Sequence, residues 1–162
     1  MAASIPVLIL WHSRTGAAQA LAHAAAKGAG DAGRLLRAEN AGPGDLLAAS
    51  AFLFLCPENL ASMSGAMKEM FDRCYYPLMG QLEGRAYATV IAAGSDGTGA
   101  ERQIDRIVKG WRLKRVADSV IVNCNAQTAE AILAPKTPSK ADRARCRDLG
   151  AALAEGAALG VF

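Results

Sequence analysis

Histidine is almost missing from this chain, and aromatic residues are scarce. His12 and His23 are the only histidines among 162 residues, and Phe, Trp and Tyr together make up 6%. The four cysteines, at positions 56, 74, 124 and 146, show no paired spacing. These absences exclude a zinc constellation and a disulfide framework, so free thiols in a reducing compartment and no metal are expected. Long hydrophobic runs are also lacking. The apolar run Ile5 to Trp11 is too short to cross a bilayer, and no basic leader or cleavage site accompanies it. A cytoplasmic protein without a membrane span is expected. Nor is there an excess of one charge: the net charge is +3, with no aromatic-basic motif, which argues against a nucleic-acid partner. Hydrophobic content of 52% and charged content of 20% argue against disorder. The length suits one domain with one substantial core. No internal repeat and no dividing linker interrupts it.

What is there alternates between strand and helix signals, which predicts an α/β fold with a parallel sheet. Residues 5–11 form the first expected strand, and a short second one lies near Arg34–Ala38. The runs from Ala51 to Cys56 and from Tyr87 to Ala93 are continuously apolar, as strands covered on both faces should be. Val116 to Val122 is the fifth. Between them, Met63, Met67, Met70, Phe71 and Cys74 make one helical stripe, with Ile104, Ile107, Val108 and Trp111 another. Helix one runs from Ala17 towards Lys27 and stops at Gly28. A capping box is expected from Thr98 to Glu101, a loop around Gly42–Gly44, and a last helix beginning near Thr137-Pro138-Ser139 with Pro138 in its first turn. Gly28-Ala29-Gly30-Asp31-Ala32-Gly33 matches Gly-x-Gly-x-x-Gly by letter. It ends a helix and precedes a strand, the reverse of a dinucleotide fingerprint, and reads as a helix stop plus turn.

The turn His12-Ser13-Arg14-Thr15-Gly16 joins the first strand directly to the first helix. Amide groups at a helix start have no intrahelical partner, and the helix dipole favours an anion there. Ser13 and Thr15 add hydroxyl donors, and Gly16 permits close backbone approach. The turn lacks Gly-Lys-Ser/Thr and so is not a Walker loop. It resembles the flavin mononucleotide (FMN) phosphate loop of the flavodoxin family, Thr/Ser-x-Thr-Gly-x-Thr. The run Pro57 to Arg73, with Ser62-Met63-Ser64-Gly65-Ala66-Met67-Lys68 and Phe71-Asp72-Arg73, is similar to the flavin-loop segment of NAD(P)H-dependent FMN reductases and related quinone reductases.

The resemblance implies one flavodoxin-like FMN-binding domain over residues 1–162. Its fold would be a three-layer, doubly wound, five-stranded parallel sheet of order 2-1-3-4-5. In such sheets the ligand crevice lies outside the carboxyl ends of strands one and three. Three loops should meet there. The first offers Ser13, Arg14, Thr15, Gly16, Ala17 and Ala18. The second offers Pro57, Glu58, Asn59, Leu60 and Ser62. The third offers Gly94, Ser95, Asp96 and Gly97. Of these, Asn59, Ser62 and Asp96 could hydrogen-bond the ring's polar edge. Ala18 replaces the last threonine of the phosphate motif, a loss that Arg14 could offset with a charge-assisted contact.

No Phe, Tyr or Trp occurs in the second or third loop, and the chain is slightly basic. Electron-carrier flavodoxins usually clamp the ring between aromatics and are strongly acidic. Both departures favour an oxidoreductase that takes a hydride from NAD(P)H and passes electrons to a quinone, a flavin or another small acceptor. The cofactor would carry the chemistry, so no side chain is assigned a catalytic role. The resemblance also implies a homo-oligomer, dimer or tetramer. The rival readings are an electron-transfer flavodoxin without NAD(P)H activity and an FMN-free flavodoxin-like binding module. His12 could serve as an acid or base but reads first as a packing or capping residue. Cys56 reads as a buried structural thiol, Met63 as core that could also touch a cofactor, and Tyr75 and Tyr76 as packing or interface residues.

Overall fold

Alternate residues of each long strand point to opposite sides of the sheet, and both sides are covered. A computed structural model describes residues 5–162. In β1 (Ile5–Trp11), Val7, Ile9 and Trp11 face one layer, while Leu8 and Leu10 face the other. The same division holds in β3 (Ala49–Asn59), where Leu53 and Leu55 oppose Phe52, Phe54 and Cys56. Burial on both faces is why these strands are continuous apolar runs rather than alternating ones.

The elements follow in the order β1, α1 (Ala17–Ala29), β2 (Gly33–Arg37), α2 (Pro43–Leu47), β3, β4 (Ser62–Met63), α3 (Gly65–Tyr75) and β5 (Ala86–Ala93). Then come α4 (Thr98–Gly110), β6 (Lys114–Arg115), β7 (Val120–Asn123), α5 (Ala129–Leu133) and α6 (Lys140–Leu159). The parallel sheet runs β2-β1-β3-β5, and β6 and β7 share the outer edge of β5. With β6 and β7 counted as one position this is the expected 2-1-3-4-5 order. The fifth strand is split, however. Lys114 and Arg115 pair with Ala86 and Tyr87, the chain leaves the sheet, and Val120–Asn123 rejoin it opposite Val90–Ala93. Strand pairing thus starts two residues before the expected Val116 and lapses from Val116 to Ser119.

Helices α3 and α4 cover one face with an aromatic-rich core that includes Phe52, Phe54, Phe71, Tyr87 and Trp111. Tyr75 stacks on Trp111 with centroids 5.6 Å apart, whereas Tyr76 is exposed. The other face is covered by α1 and α6, packed through alanines and glycines. A Cβ on Gly28 would lie 1.8 Å from the Arg147 carbonyl oxygen, and one on Gly150 would lie 2.0 Å from that of Ala25. Gly28 is therefore a helix-crossing residue and not the expected stop. Helix α1 continues to Ala29 and is capped at Gly30, whose φ of 58° is left-handed. Two further boundaries differ from the sequence reading. Pro43 and Gly44 open the short α2 instead of lying in a loop. Pro138 precedes the cap of α6, because Ser139 Oγ accepts from the Asp142 amide and so fixes the start at Lys140.

Candidate functional site

Four connections leave the carboxyl ends of the parallel strands on the same side, and they enclose a cleft of about 680 Å³. That volume lies in the usual range for small-molecule and cofactor sites. The first wall is the turn after β1. Gly16, at φ 103°, closes it, and the Gly16 amide donates to Ser13 Oγ at 3.2 Å. A Cβ at Gly16 would lie 3.2 Å from the Lys136 carbonyl oxygen, so glycine serves both the left-handed backbone and the close approach. No side chain caps α1, and its first turn holds no acidic residue. The helix start is left open to an anion.

The second wall is not a loop. Strand β3 runs on through Pro57, Glu58 and Asn59, turns at Leu60-Ala61, and returns as β4, with Asn59 opposite Ser62. Both turn residues have positive φ, 53° and 60°. A two-residue hairpin turn of this kind favours Asn-Gly, and holding non-glycine residues there costs of order 1 kcal/mol each. The hairpin is gripped from α4: Gln103 Oε1 accepts from the Met63 amide and from Ser62 Oγ, both at 2.9 Å.

The third wall is Gly94-Ser95, tied to the end of β7 and the residues that follow it. Asn123 Nδ2 donates to the Ser95 carbonyl at 2.6 Å, and the Ala126 amide to that of Gly94 at 2.9 Å. Glu58 joins the second and third walls. Its carboxylate accepts from the Gly97 amide at 2.9 Å and the Ala100 amide at 3.1 Å. It thereby caps α4, whose own first residues supply no side-chain cap. The expected box from Thr98 to Glu101 does not form. Thr98 Oγ1 bonds Asp96, and Glu101 pairs with Arg115.

A fourth wall was not foreseen. Residues from Cys124 to Lys136, including the short α5, return across the first turn. The Lys136 amide donates to the Thr15 carbonyl at 2.7 Å, and Lys136 Nζ donates to Thr15 Oγ1 at 3.2 Å. This segment has no helical period longer than one turn and no motif, so only the topological rule could have pointed to it.

The family model described as NADPH-dependent FMN reductase matches residues 44–126, just over half of the 162-residue chain. The chain belongs to this family. The match covers the second and third walls and stops short of the turn after β1. A flavodoxin of Aquifex aeolicus (strain VF5) is 29% identical over 162 residues, covering 94% of this chain and 87% of its own. The flavodoxin, WrbA-like protein from Agrobacterium tumefaciens has the same fold at a TM-score of 0.71 and 18% identity, over 95% of this chain and 98% of that one. A flavodoxin from the domain Archaea also aligns at 0.71, with 15% identity over 94% and 99% of the two chains.

Among the residues expected at the site of this FMN reductase family member, Ser13, Arg14, Thr15, Ala17 and Ala18 line the cleft. So do Pro57, Glu58, Asn59, Leu60, Gly94 and Ser95. Gly16, Ser62, Asp96 and Gly97 shape the walls from behind instead. Ser62 is turned to Gln103, the Asp96 carboxylate is held by Thr98, and Gly97 is occupied by Glu58. Met63 is buried in the core and does not reach the cleft. Cys124, Ile132, Leu133 and Lys136 line it without having been anticipated.

The electrostatics of the site are quiet. Burial pushes the Cys56 thiol up to about 12, which removes it as a nucleophile at neutral pH. Burial also raises Cys124. His12 lies behind the first turn, with Nδ1 2.9 Å from Ser64 Oγ and Nε2 3.9 Å from Glu39. Desolvation lowers its pKa despite that carboxylate. Its geometry is that of a packing residue.

The cleft fits FMN. It is large enough, one end presents an uncapped helix start beside two cations, Arg14 and Lys136, and the rest is lined by small and aliphatic residues together with Glu58 and Asn59. Among the described residues, none that lines the cleft is aromatic.

Proposed function

We propose that this protein is an NAD(P)H-dependent FMN oxidoreductase. Bound FMN would supply two-electron chemistry, taking a hydride from NAD(P)H and passing the electrons to a quinone, a flavin or another small acceptor. In this reading Ser13 and Thr15 donate to the phosphate, with the amides at the start of α1 and with Arg14 beside them. The hairpin edge at Pro57–Leu60 and the backbone of Gly94 and Ser95 orient the ring. The Asn59 side chain is a donor and acceptor for its polar edge, whereas Ser62 and Asp96 act only through the wall they brace. Glu58 is spent on α4 and holds the two ring walls at a fixed separation.

The observation that carries the reductase reading is the absence of aromatics from a cleft that belongs to this family. The rims are aliphatic and exposed: Leu60 is fully exposed, and Leu133 is 75% exposed. Nothing bulky reserves the space a nicotinamide needs beside the ring. The named likeness to a flavodoxin of Aquifex aeolicus supports a second reading, an electron-transfer protein without its own NAD(P)H activity. An absorbance spectrum of the purified or FMN-reconstituted protein, followed by anaerobic addition of NADH or NADPH, separates them. Bleaching of the flavin band within a turnover time supports the reductase, and an unreduced flavin supports the carrier. A protein that takes up no flavin would leave only the binding module. A homo-oligomer is part of the proposal, to be measured by light scattering.

A further inference from the structure

The first turn carries a cation that no part of the phosphate-loop motif calls for. Lys136 lies 121 residues beyond Thr15 in sequence, yet it holds that residue at two atoms, its carbonyl and its hydroxyl oxygen. The other two hydrogens of the ammonium go to the Ile132 carbonyl at 2.7 Å and the Ala134 carbonyl at 3.1 Å. All three donors are thus committed. Thr15 Oγ1, having accepted one hydrogen bond, keeps its own proton to give. Thr15 lines the cleft, so that proton is available to a ligand there. A hydroxyl that accepts from an ammonium is polarised into a stronger donor. No carboxylate competes locally. Helix α1 has no acidic residue in its first turn, and Glu58 across the cleft is hydrogen-bonded to two amides of α4.

We propose that Lys136 is the positioning residue for the FMN phosphate. It acts through Thr15, fixing the hydroxyl as a donor and placing a positive charge directly behind it, and so makes the site select FMN over riboflavin. The inference rests on the FMN reading of the cleft. It also accounts for the missing third hydroxyl at Ala18, since one charge-backed donor replaces two neutral ones. The simple alternative is that Lys136 only caps the carbonyls at the end of α5. A cap would stabilise the fourth wall for both flavins alike.

The test is fluorescence titration of the flavin-free protein with FMN and, separately, with riboflavin, using the wild type, Lys136→Met, Thr15→Val and the double variant. The wild type should bind FMN well ahead of riboflavin. Lys136→Met should weaken FMN roughly ten- to a hundredfold and move riboflavin by less than about twofold. In the Thr15→Val background the same substitution should cost much less, because the relay is already broken. Equal loss of both flavins, or an unchanged FMN constant, overturns the inference and leaves the FMN reading standing. So does an undiminished Lys136 effect in the Thr15→Val background. If the wild type binds neither flavin, the FMN reading fails and takes the inference with it. Should circular dichroism show Lys136→Met unfolded, Lys136→Gln carries the same expectations, since its amide keeps donors for the α5 carbonyls while the charge is lost.

Discussion

Ser13 and Thr15 sit in one turn but are not equivalent. Ser13 Oγ is engaged by the Gly16 amide and stabilises the turn, whereas Thr15 Oγ1 is held from outside it by Lys136. Thr15→Ala should therefore weaken FMN binding by about 1–3 kcal/mol, the cost of an unmet donor to a charged oxygen. A dissociation constant unchanged from wild type would reduce Thr15 to a packing residue. His12, one residue before Ser13, is a stability residue with a pH signature. Burial holds its folded pKa below the ordinary 6.5, and Glu39 at 3.9 Å works against burial without winning. Between the folded pKa and 6.5 the unfolded chain binds the extra proton. The stability contributed by neutral His12 is then complete above about 6.5 and is lost as pH falls below it. Denaturant unfolding from roughly pH 5 to 8 should show wild type losing more stability on acidification than His12→Gln. A ring that titrates above 6.5 by NMR would mean that Glu39 dominates.

At the scale of elements, two joints hold the walls in place. Glu58 links the hairpin to α4 through two amides, so Glu58→Ala should cost about 1–2 kcal/mol, as loss of a helix cap does. Faster amide exchange at Gly97 and Ala100 should accompany it, and unchanged exchange there would show that water takes over the cap. The α1–α6 crossing is the second joint. Gly150→Ala forces a Cβ to 2.0 Å from the Ala25 carbonyl oxygen and should cost at least about 1–3 kcal/mol in thermal unfolding. Gly44→Ala, with nothing within 4 Å, should be near neutral; equal effects would show that the helices separate freely. The central strands were legible because burial on both faces leaves an uninterrupted apolar run. The split of the fifth was not: β6 is Lys114-Arg115, both exposed, with no apolar pattern to read. Leu60-Ala61 gives no turn signal, and the capping box failed because a carboxylate distant in sequence reached the helix first. Helix α5 buries none of its residues and so left no periodicity to find.

Across the whole molecule, the few aromatics are concentrated away from the cleft. Five of the nine are buried on the α3–α4 face of the sheet, and the cleft at its end is lined by aliphatic, small and polar residues with no aromatic among them. The segment counts matter as much as the composition. The walls come from residues 13–18, 57–61, 92–95 and 124–136, which meet only when the parallel sheet is complete. An unfolded chain cannot bring Thr15 and Lys136 together, so a ligand of this cleft binds the folded state alone and stabilises the fold by mass action. FMN at a hundred times its dissociation constant should add about 2.7 kcal/mol. For a domain of this size that raises Tm by about 5–10 °C. The shift should grow with the logarithm of FMN concentration, and riboflavin at equal concentration should produce much less, because it leaves the start of α1 without an anion. Differential scanning fluorimetry read from intrinsic tryptophan emission measures both. Equal shifts from the two flavins would place the binding energy in the ring walls and not at the helix start. No shift from either, at any concentration, would remove FMN from this cleft altogether.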